Sequence, residues 1–124
     1  MNRKVNGMTV KSYEDLIAWQ KAIDLVTHIY RATDDFPRRE IFTLTSQMRR
    51  CAVSVPSNIA EGQGRLSTGE FKQFLGHARG SIFELQTQIK IATALGYLET
   101  KKAQELKDGA AEVGRIIQGL LASL

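Results

Sequence analysis

Residues 67–96 read STGEFKQFLGHARGSIFELQTQIKIATALG, and this stretch decides the fold. Ser67 followed by Glu70 is the pattern of a capping box, in which two side chains satisfy free backbone amides at the start of a helix. Beyond it, apolar residues recur at intervals of three and four for about seven turns, the spacing of one helical face. Gly96 can end the helix, because glycine readily adopts the left-handed conformation found there. The stretch therefore predicts one long amphipathic helix.

Two outer segments of the chain show the same spacing of apolar residues. The N-terminal segment opens at Ser12, which forms a capping box with Asp15, and it stops before Pro37. The C-terminal segment starts near Glu99 or Thr100. Each predicts a further amphipathic helix. Their apolar faces comprise Leu16, Trp19, Ile23, Val26, Ile29 and Tyr30 in the first, and Ala103, Leu106, Ala110, Val113, Ile117, Leu120 and Leu124 in the last.

The remaining helix begins after Pro37 and carries a second proline inside its apolar face. Pro56 lacks the amide that would bond the Ala52 carbonyl, so it either bends a helix or divides it into two. The apolar face keeps its phase across the proline, which favours one bent helix. Gly62 and Gly64 can supply the left-handed conformation at its end. The face comprises Ile41, Leu44, Thr45, Met48, Ala52, Val55 and Ile59.

Four helices joined by short loops predict an all-α fold, because short connections make neighbouring helices antiparallel. We expect residues 12–124 to form one domain, an up-down-up-down four-helix bundle. Residues 1–11 contain Arg3, Lys4 and Lys11 and no acidic residue, and we expect them to form a basic flexible arm. No segment alternates apolar and polar residues for long enough to predict a sheet.

The chain lacks the residue patterns of common catalytic and metal sites. His28 and His77 are its only histidines, and neither is followed three or four positions later by the second ligand that di-metal bundles use. Cys51 follows Arg49 and Arg50, whose charge could activate a thiol, but a buried unreactive cysteine is the simpler interpretation. We predict no catalytic residue, no metal site and no cofactor. No apolar run approaches the ~20 residues that span a bilayer, so we expect a cytoplasmic protein without a membrane partner.

A group of polar residues surrounds the proline of the second helix. Ser54, Asn58 and Glu61 lie close to one helical face, although such residues compete with the hydrogen bonds of a helix. We expect a structural polar cluster in which Ser54 or Asn58 bonds the carbonyl freed by Pro56. Glu61 is expected to pair with Arg79. A polar ligand pocket beside the proline is the alternative interpretation.

Glycines inside two of the helices indicate an unusual packing requirement. Gly76 and Gly80 lie one turn apart in the long helix, where each costs about 0.5–1 kcal/mol relative to alanine. Such a pair indicates a close approach of backbones, either inside the bundle or between subunits. Gly109, Gly114 and Gly119 weaken the last helix similarly. We therefore expect the bundle to assemble with copies of itself.

Positive charge is concentrated in two parts of the chain. Residues 38–65 contain five arginines against two acids, and residues 1–11 add three cations, whereas the net charge of the whole chain is +4. Clustered cations are typical of surfaces that bind phosphates, although solvated helix ends and ion pairs are the alternative. We expect no aromatic platform for single-stranded bases among these arginines. The candidate nucleic-acid contacts are Arg3, Lys4, Lys11, Arg38, Arg39, Arg49, Arg50 and Arg65.

Several runs of the chain resemble one protein family. RRCAVSVPSNIAEG at 49–62, FKQFL at 71–75, ARGSIFEL at 78–85 and LGYL at 95–98 are similar to four-helix-bundle proteins encoded in intervening sequences of 23S ribosomal RNA genes. YEDLIAWQKA at 13–22 resembles the start of the same proteins. The resemblance extends over nearly the whole chain.

The resemblance implies an up-and-down bundle that assembles as a ring-shaped homopentamer and has no established enzymatic activity. A more distant relative, the accessory variability determinant of diversity-generating retroelements, is a basic pentameric bundle that binds nucleic acid and a reverse transcriptase. We therefore expect a non-enzymatic protein that binds RNA or DNA, or a reverse-transcriptase ribonucleoprotein, through a basic surface. The alternative is a structural protein–protein interaction module that touches no nucleic acid.

Overall fold

The computed structural model describes residues 2–124, and four long helices make up most of this range. Helix α1 spans Ile17–Thr33, α2 spans Leu44–Gln63, α3 spans Thr68–Ala94 and α4 spans Thr100–Ser123. Consecutive helices pack side by side, and α1 also packs against α4, which closes the bundle. The predicted all-α, up-down-up-down four-helix bundle is confirmed.

Helix α3 begins and ends where the sequence predicts. The Ser67 hydroxyl accepts a hydrogen bond from the Glu70 amide at 3.1 Å. At the other end Gly96 has a left-handed φ of 79°, and the Tyr97 amide donates to the Ala92 carbonyl at 2.9 Å. This is the Schellman arrangement, in which glycine avoids the steric penalty of a Cβ. It fixes the point at which the chain leaves α3 for α4.

Helix α1 starts later than predicted, because the capping box belongs to a separate turn. Ser12 and Asp15 form the expected reciprocal bonds, but these begin a 3-10 turn over Tyr13–Asp15. The α-helix itself begins at Ile17. The turn places the Tyr13 ring against Trp19, with 5.2 Å between the ring centroids.

The core face of α1 is also rotated from the predicted face. Ile23 and Tyr30, both predicted to be in the core, are exposed. Apolar residues cover so much of this helix that their spacing alone does not select the buried side. The larger apolar side chains therefore border a groove beside α2. The buried face comprises Ala18, Ala22, Leu25, Ile29 and Thr33.

Helix α2 continues through Pro56 without a break, so the single-helix interpretation is correct. Met48, Val55 and Ile59 of the predicted face are completely buried. Ile41 is not part of it, because it lies exposed in the turn before the helix.

The expected left-handed glycine at the end of α2 is absent, since Gly64 has a φ of −78° and Gly62 lies inside the helix. Gly62 serves a different purpose. A Cβ at this position would lie 2.8 Å from the Phe74 Cβ and 3.0 Å from Phe71 Cδ1. Glycine is therefore required here because α2 and α3 approach each other closely.

The first residues form a β-hairpin, whereas the sequence analysis expects a flexible arm over 1–11, of which Met1 lies outside the described residues. The strands Arg3–Val5 (β1) and Met8–Val10 (β2) pair antiparallel. Asn6 and Gly7 connect them with φ values of 51° and 78°, and Asn-Gly is the strongest short signal for such a turn. The valine that ends each strand is buried, which attaches the hairpin to the bundle.

All four helices contribute to one continuous apolar core. The largest fully buried side chains are Ile29, Met48, Val55, Ile59, Phe71, Leu75, Ile82, Leu85, Ile89, Val113 and Ile117. The paired glycines of α3 are not part of it. A Cβ at Gly76 or Gly80 would meet no atom within 4 Å, so the close approach inside the bundle, one of the two expected explanations, is wrong.

Candidate nucleic-acid interface

Arg3 attaches the hairpin to the junction of α2 and α3. Its Nη2 donates to the Arg65 carbonyl at 2.7 Å, and its Nε donates to Gln63 Oε1 at 3.2 Å. The guanidinium lies over the Phe71 ring, 4.5 Å from the centroid. Partial burial lowers the pKa of Arg3, but an arginine remains cationic at any physiological pH. The Nε and Nη2 donors of Arg3 are therefore directed at the protein.

Arg65 also has partners within its own chain. Its Nη2 lies 3.1 Å from Glu61 Oε1, and its guanidinium lies over the Phe74 ring. This contact replaces the expected ion pair between Glu61 and Arg79, since Arg79 lies over the Phe83 ring instead. Both members of the Glu61–Arg65 pair are partly exposed, so the pair contributes little stability.

Arg49 forms hydrogen bonds with the C-terminal end of α1. Its Nε donates to Thr33 Oγ1 at 2.9 Å, and its Nη2 donates to Asp34 Oδ1 at 2.9 Å and to the Tyr30 carbonyl at 3.3 Å. The guanidinium also covers the Tyr30 ring. A cation at this position satisfies groups that the last turn of a helix leaves free. Arg49 is thus a structural residue of the bundle.

At the same end of the bundle, a small polar network joins the turn between α1 and α2 to the turn between α3 and α4. The Tyr97 hydroxyl donates to Glu40 Oε2 at 2.8 Å, and the Thr43 hydroxyl donates to Glu40 Oε1. These two hydrogen bonds, with Thr43 the stronger, lower the pKa of Glu40. Arg39 lies beside the network, with its Nη2 3.5 Å from the Tyr97 hydroxyl, and is only weakly held.

The other four candidate cations are exposed and make no side-chain hydrogen bond or ion pair within residues 2–124. They are Lys4, Lys11, Arg38 and Arg50. An exposed cation without a carboxylate partner can meet a phosphate without first breaking a contact. These four are therefore the best candidates of the predicted set.

The predicted cations do not form a single patch. Arg3 and Arg65 lie where α2 ends, whereas Arg38 and Arg39 lie before it begins. The helix has 20 residues, and at 1.5 Å per residue it separates the two groups by about 30 Å. A ligand that contacts both groups on one subunit must be an extended polyanion.

The polar residues around Pro56 bond mainly to the backbone. Ser54 Oγ donates to the Cys51 carbonyl at 2.6 Å and lies 2.7 Å from Ser81 Oγ of α3. Asn58 Nδ2 donates to the Ser54 carbonyl at 2.8 Å. Neither side chain bonds the Ala52 carbonyl as expected. Ser54 instead joins α2 to α3.

A polar cleft lies between α2 and α3 on the outer surface of the bundle. Its volume is about 490 Å³. Phe42 stands at its rim with 91% of its surface exposed. Phe42 lines this cleft together with Arg50, so an aromatic ring does lie beside the predicted arginines, and its position three residues after Arg39 was the available signal. The lining residues are Phe42, Ser46, Gln47, Arg50, Cys51, Ser54, Ser81 and Glu84.

Cys51 lines this cleft, and its side chain is buried. Its Sγ donates to the Ser81 carbonyl at 3.1 Å. Burial, and secondarily the nearby Glu84 carboxylate, raise the pKa of the Cys51 thiol to about 12. Since the thiolate is the nucleophilic form, this environment is the opposite of that of a catalytic cysteine.

A second groove, between α1 and α2, is mainly apolar. It is lined by Tyr13, Trp19, Ile23, Val26, Val53, Pro56, Ser57, Ala60 and Glu61. Its volume is about 520 Å³. This groove lies beside Pro56, where the alternative interpretation places a polar ligand pocket, and most of its lining consists of apolar side chains.

The described residues contain neither a candidate metal site nor a candidate membrane-spanning helix. Residues 2–124 hold no group of three or more His, Cys, Asp and Glu side chains placed to bind a metal ion. His28 and His77 both lie on the surface. Within the same range, none of the helices combines the length and the apolar character needed to cross a bilayer.

Comparison with known proteins places the chain in a family. The crystal structure of a protein of unknown function from the S23 ribosomal protein family of Bacteroides thetaiotaomicron has a similar fold, with a TM-score of 0.79 and 15% sequence identity. The match covers 86% of this chain and 96% of that one, and at this identity it shows a common fold only. No curated protein matches the chain. Residues 14–119 match the family described as 23S rRNA-intervening sequence protein, so the chain belongs to this family.

Proposed function

We propose that the protein is a non-enzymatic, cytoplasmic nucleic-acid-binding bundle. The observation that carries the proposal is that four of the eight predicted cations, Lys4, Lys11, Arg38 and Arg50, are exposed and have no side-chain partner within residues 2–124, in a chain with a net charge of +4. Binding of each cation to a phosphate releases condensed counterions, which is the main source of affinity in such complexes. RNA, DNA or a reverse-transcriptase ribonucleoprotein all offer the extended polyanion that two separated basic groups require.

The proposal includes assembly into a ring-shaped homo-oligomer, a pentamer, which repeats the basic groups around the ring. Repetition strengthens binding because the second contact with one strand becomes intramolecular. Support comes from the outer face of α3, where Gly76 and Gly80 leave room for a second backbone. Phe83 lies three residues after Gly80, on the same side of this helix, and its side chain is exposed.

The direct test is RNA binding measured by gel shift across a salt series. We expect the logarithm of the affinity to fall linearly with the logarithm of the salt concentration. Native mass spectrometry with and without nuclease treatment shows the subunit number and whether nucleic acid copurifies. Affinity that does not change with salt, or a monomer that ignores polyanions, contradicts the proposal.

The apolar groove between α1 and α2 favours a second candidate, a protein–protein interaction module. Tyr13, Ile23 and Val53 border this groove and are exposed, as expected for a surface that another protein covers. One simple measurement distinguishes the two candidate functions. A 260/280 nm absorbance ratio that is high after purification at low salt and falls at high salt supports nucleic-acid binding. A ratio typical of pure protein under both conditions supports the interaction module.

A further inference from the structure

The polar cleft between α2 and α3 combines three features that a single unpaired nucleotide requires. They are an exposed aromatic face, an unpaired cation and a set of polar groups around one cavity. Its volume of about 490 Å³ falls within the range of small-ligand pockets. Six of the eight lining residues are polar or charged, the exceptions being Phe42 and Cys51.

The positions of these residues follow from the helix. Phe42, Ser46 and Arg50 are spaced by four, so they lie on one side of α2 and its preceding turn. Ser81 and Glu84 face them from α3. A base stacked on Phe42 would therefore have the guanidinium of Arg50 and the hydroxyl of Ser46 within the same cleft.

We infer that this cleft binds one unpaired nucleotide of a single-stranded nucleic acid, with the base stacked on Phe42 and the phosphate at Arg50. The inference rests on the proposed function and specifies its ligand as unpaired strand. Stacking on an exposed ring suits any base, because every base has a π-face. A duplex buries its bases between neighbours and cannot offer one to Phe42.

Glu84 determines the orientation of the ligand. A carboxylate repels phosphate and accepts hydrogen bonds only, so it favours the edge of a base that carries an amino group. Cytosine offers such a group, whereas the corresponding position of uracil is a carbonyl acceptor. Arg50 and Glu84 form no ion pair with each other in the described structure, so the Arg50 guanidinium remains available to the ligand, while the Glu84 carboxylate also contacts the Cys51 thiol.

The composition of the cleft favours a nucleotide over another protein. A protein partner covers apolar surface, and the groove between α1 and α2 provides that. The α2–α3 cleft instead isolates one aromatic ring among hydroxyl, amide and charged groups. An aromatic platform beside an arginine is the usual arrangement for binding single strands.

The test compares the full-length protein with three variants, each assayed on a single-stranded RNA and on a duplex of the same length. Phe42→Ala removes the platform, and Phe42→Leu keeps an apolar side chain without a ring. Leu95→Ala is the control for loss of an exposed apolar side chain, because Leu95 lies at the end of α3, outside the cleft. Thermal melting confirms that each variant is folded, which we expect because the exposed Phe42 ring contributes little to the core.

We expect both Phe42 variants to lose about 5- to 150-fold in single-strand affinity, the effect of removing one stacked base, and to keep their duplex affinity. The control should bind both probes like the wild type. Iodouridine placed in the single strand should photocrosslink to Phe42. In addition, the wild type should prefer oligocytidine to oligouridine, and Glu84→Gln should reduce that preference.

Three results would overturn the inference. Wild-type binding with no effect of Phe42 on single strands rejects the cleft and leaves the proposed function intact. An equal loss on both probes, or a change in subunit number in Phe42→Ala, assigns Phe42 to protein assembly instead. A wild type that binds neither probe rejects the proposed function and the cleft together.

Discussion

Arg49 on α2 reaches across to Thr33 at the end of α1, with 2.9 Å between its Nε and the threonine Oγ1. The neighbouring Arg50 points into the cleft between α2 and α3 and makes no ion pair in the described structure. Two adjacent arginines therefore have different roles, one inside the subunit and one on its surface. Their side chains diverge because successive residues of a helix are rotated by about 100°.

Replacing these two arginines should separate stability from binding. Arg49→Ala leaves the Thr33 and Tyr30 acceptors without their donor, and we expect a loss of about 1–3 kcal/mol in the free energy of unfolding. Arg50→Ala should leave that free energy unchanged and weaken RNA binding. Urea denaturation and gel shift on both variants provide the measurement. Equal destabilisation by both would show that Arg50 has a structural partner.

Replacing Gly62 tests whether α2 and α3 approach each other closely. Its replacement by alanine places a Cβ 2.8 Å from the Phe74 Cβ, and we expect a loss of about 1–3 kcal/mol from overpacking. Gly76→Ala is the matched control, because a Cβ there meets nothing within 4 Å of the same subunit. It should stabilise the isolated subunit by about 0.5–1 kcal/mol through helix propensity. A tolerated Gly62→Ala would contradict the described packing.

The helices could be predicted from the sequence because their apolar spacing and caps are local signals. Ser67 and Gly96 act within a few residues of themselves, and both occupy their predicted places, although the Glu70 side chain does not complete the predicted capping box. The buried side of α1 could not be predicted, since it depends on how closely the small Ala18 and Ala22 let other helices approach. The hairpin was missed although Asn6-Gly7 is a strong turn signal, because two strands of three residues are too short to show alternation.

The candidate site was less predictable than the fold. Charge clustering identified the arginines, but the sequence does not show which of them the protein itself uses. Arg3, Arg49 and Arg65 have partners far along the chain or on aromatic rings, and only packing brings these together. Phe42 differs, since its place beside two arginines was visible and only its exposure required the structure.

The Cys51 thiol should make the free energy of unfolding depend on pH, and the raised pKa fixes the sign of this dependence. Its pKa is raised from 9.0 to about 12 in the folded protein, so the fold favours the protonated thiol. This contribution is complete below the pKa of the unfolded chain and is lost as the pH rises from there towards 12. As the pH rises through that alkaline range, the Cys51→Ala variant should therefore lose less of its free energy of unfolding than the wild type loses.

Reaction with iodoacetamide measures the same property directly. At pH 8 we expect the folded protein to be alkylated far more slowly than the urea-unfolded chain, because burial suppresses the thiolate. Alkylation at equal rates in both states would show that Cys51 is accessible and ionised, in conflict with its hydrogen bond to Ser81.

The outer face of α3 should be required for assembly. Gly80→Leu adds a bulky side chain where the subunit itself has no atom within 4 Å, so the isolated fold should tolerate it. We expect native mass spectrometry to show a reduced subunit number, with an unchanged helical signal in circular dichroism. An unchanged oligomer mass would remove α3 from the proposed interface.

The salt dependence of RNA binding tests the central claim most directly, when two fourfold variants are compared. One replaces Lys4, Lys11, Arg38 and Arg50 with alanine, and the other replaces the exposed Lys72, Lys90, Lys101 and Lys107, which removes the same charge. We predict that the first lowers the slope of log affinity against log salt by about 0.7 for each lost phosphate contact on a single strand, and that the second leaves it near the wild-type value. Equal slopes for the two variants would contradict the account.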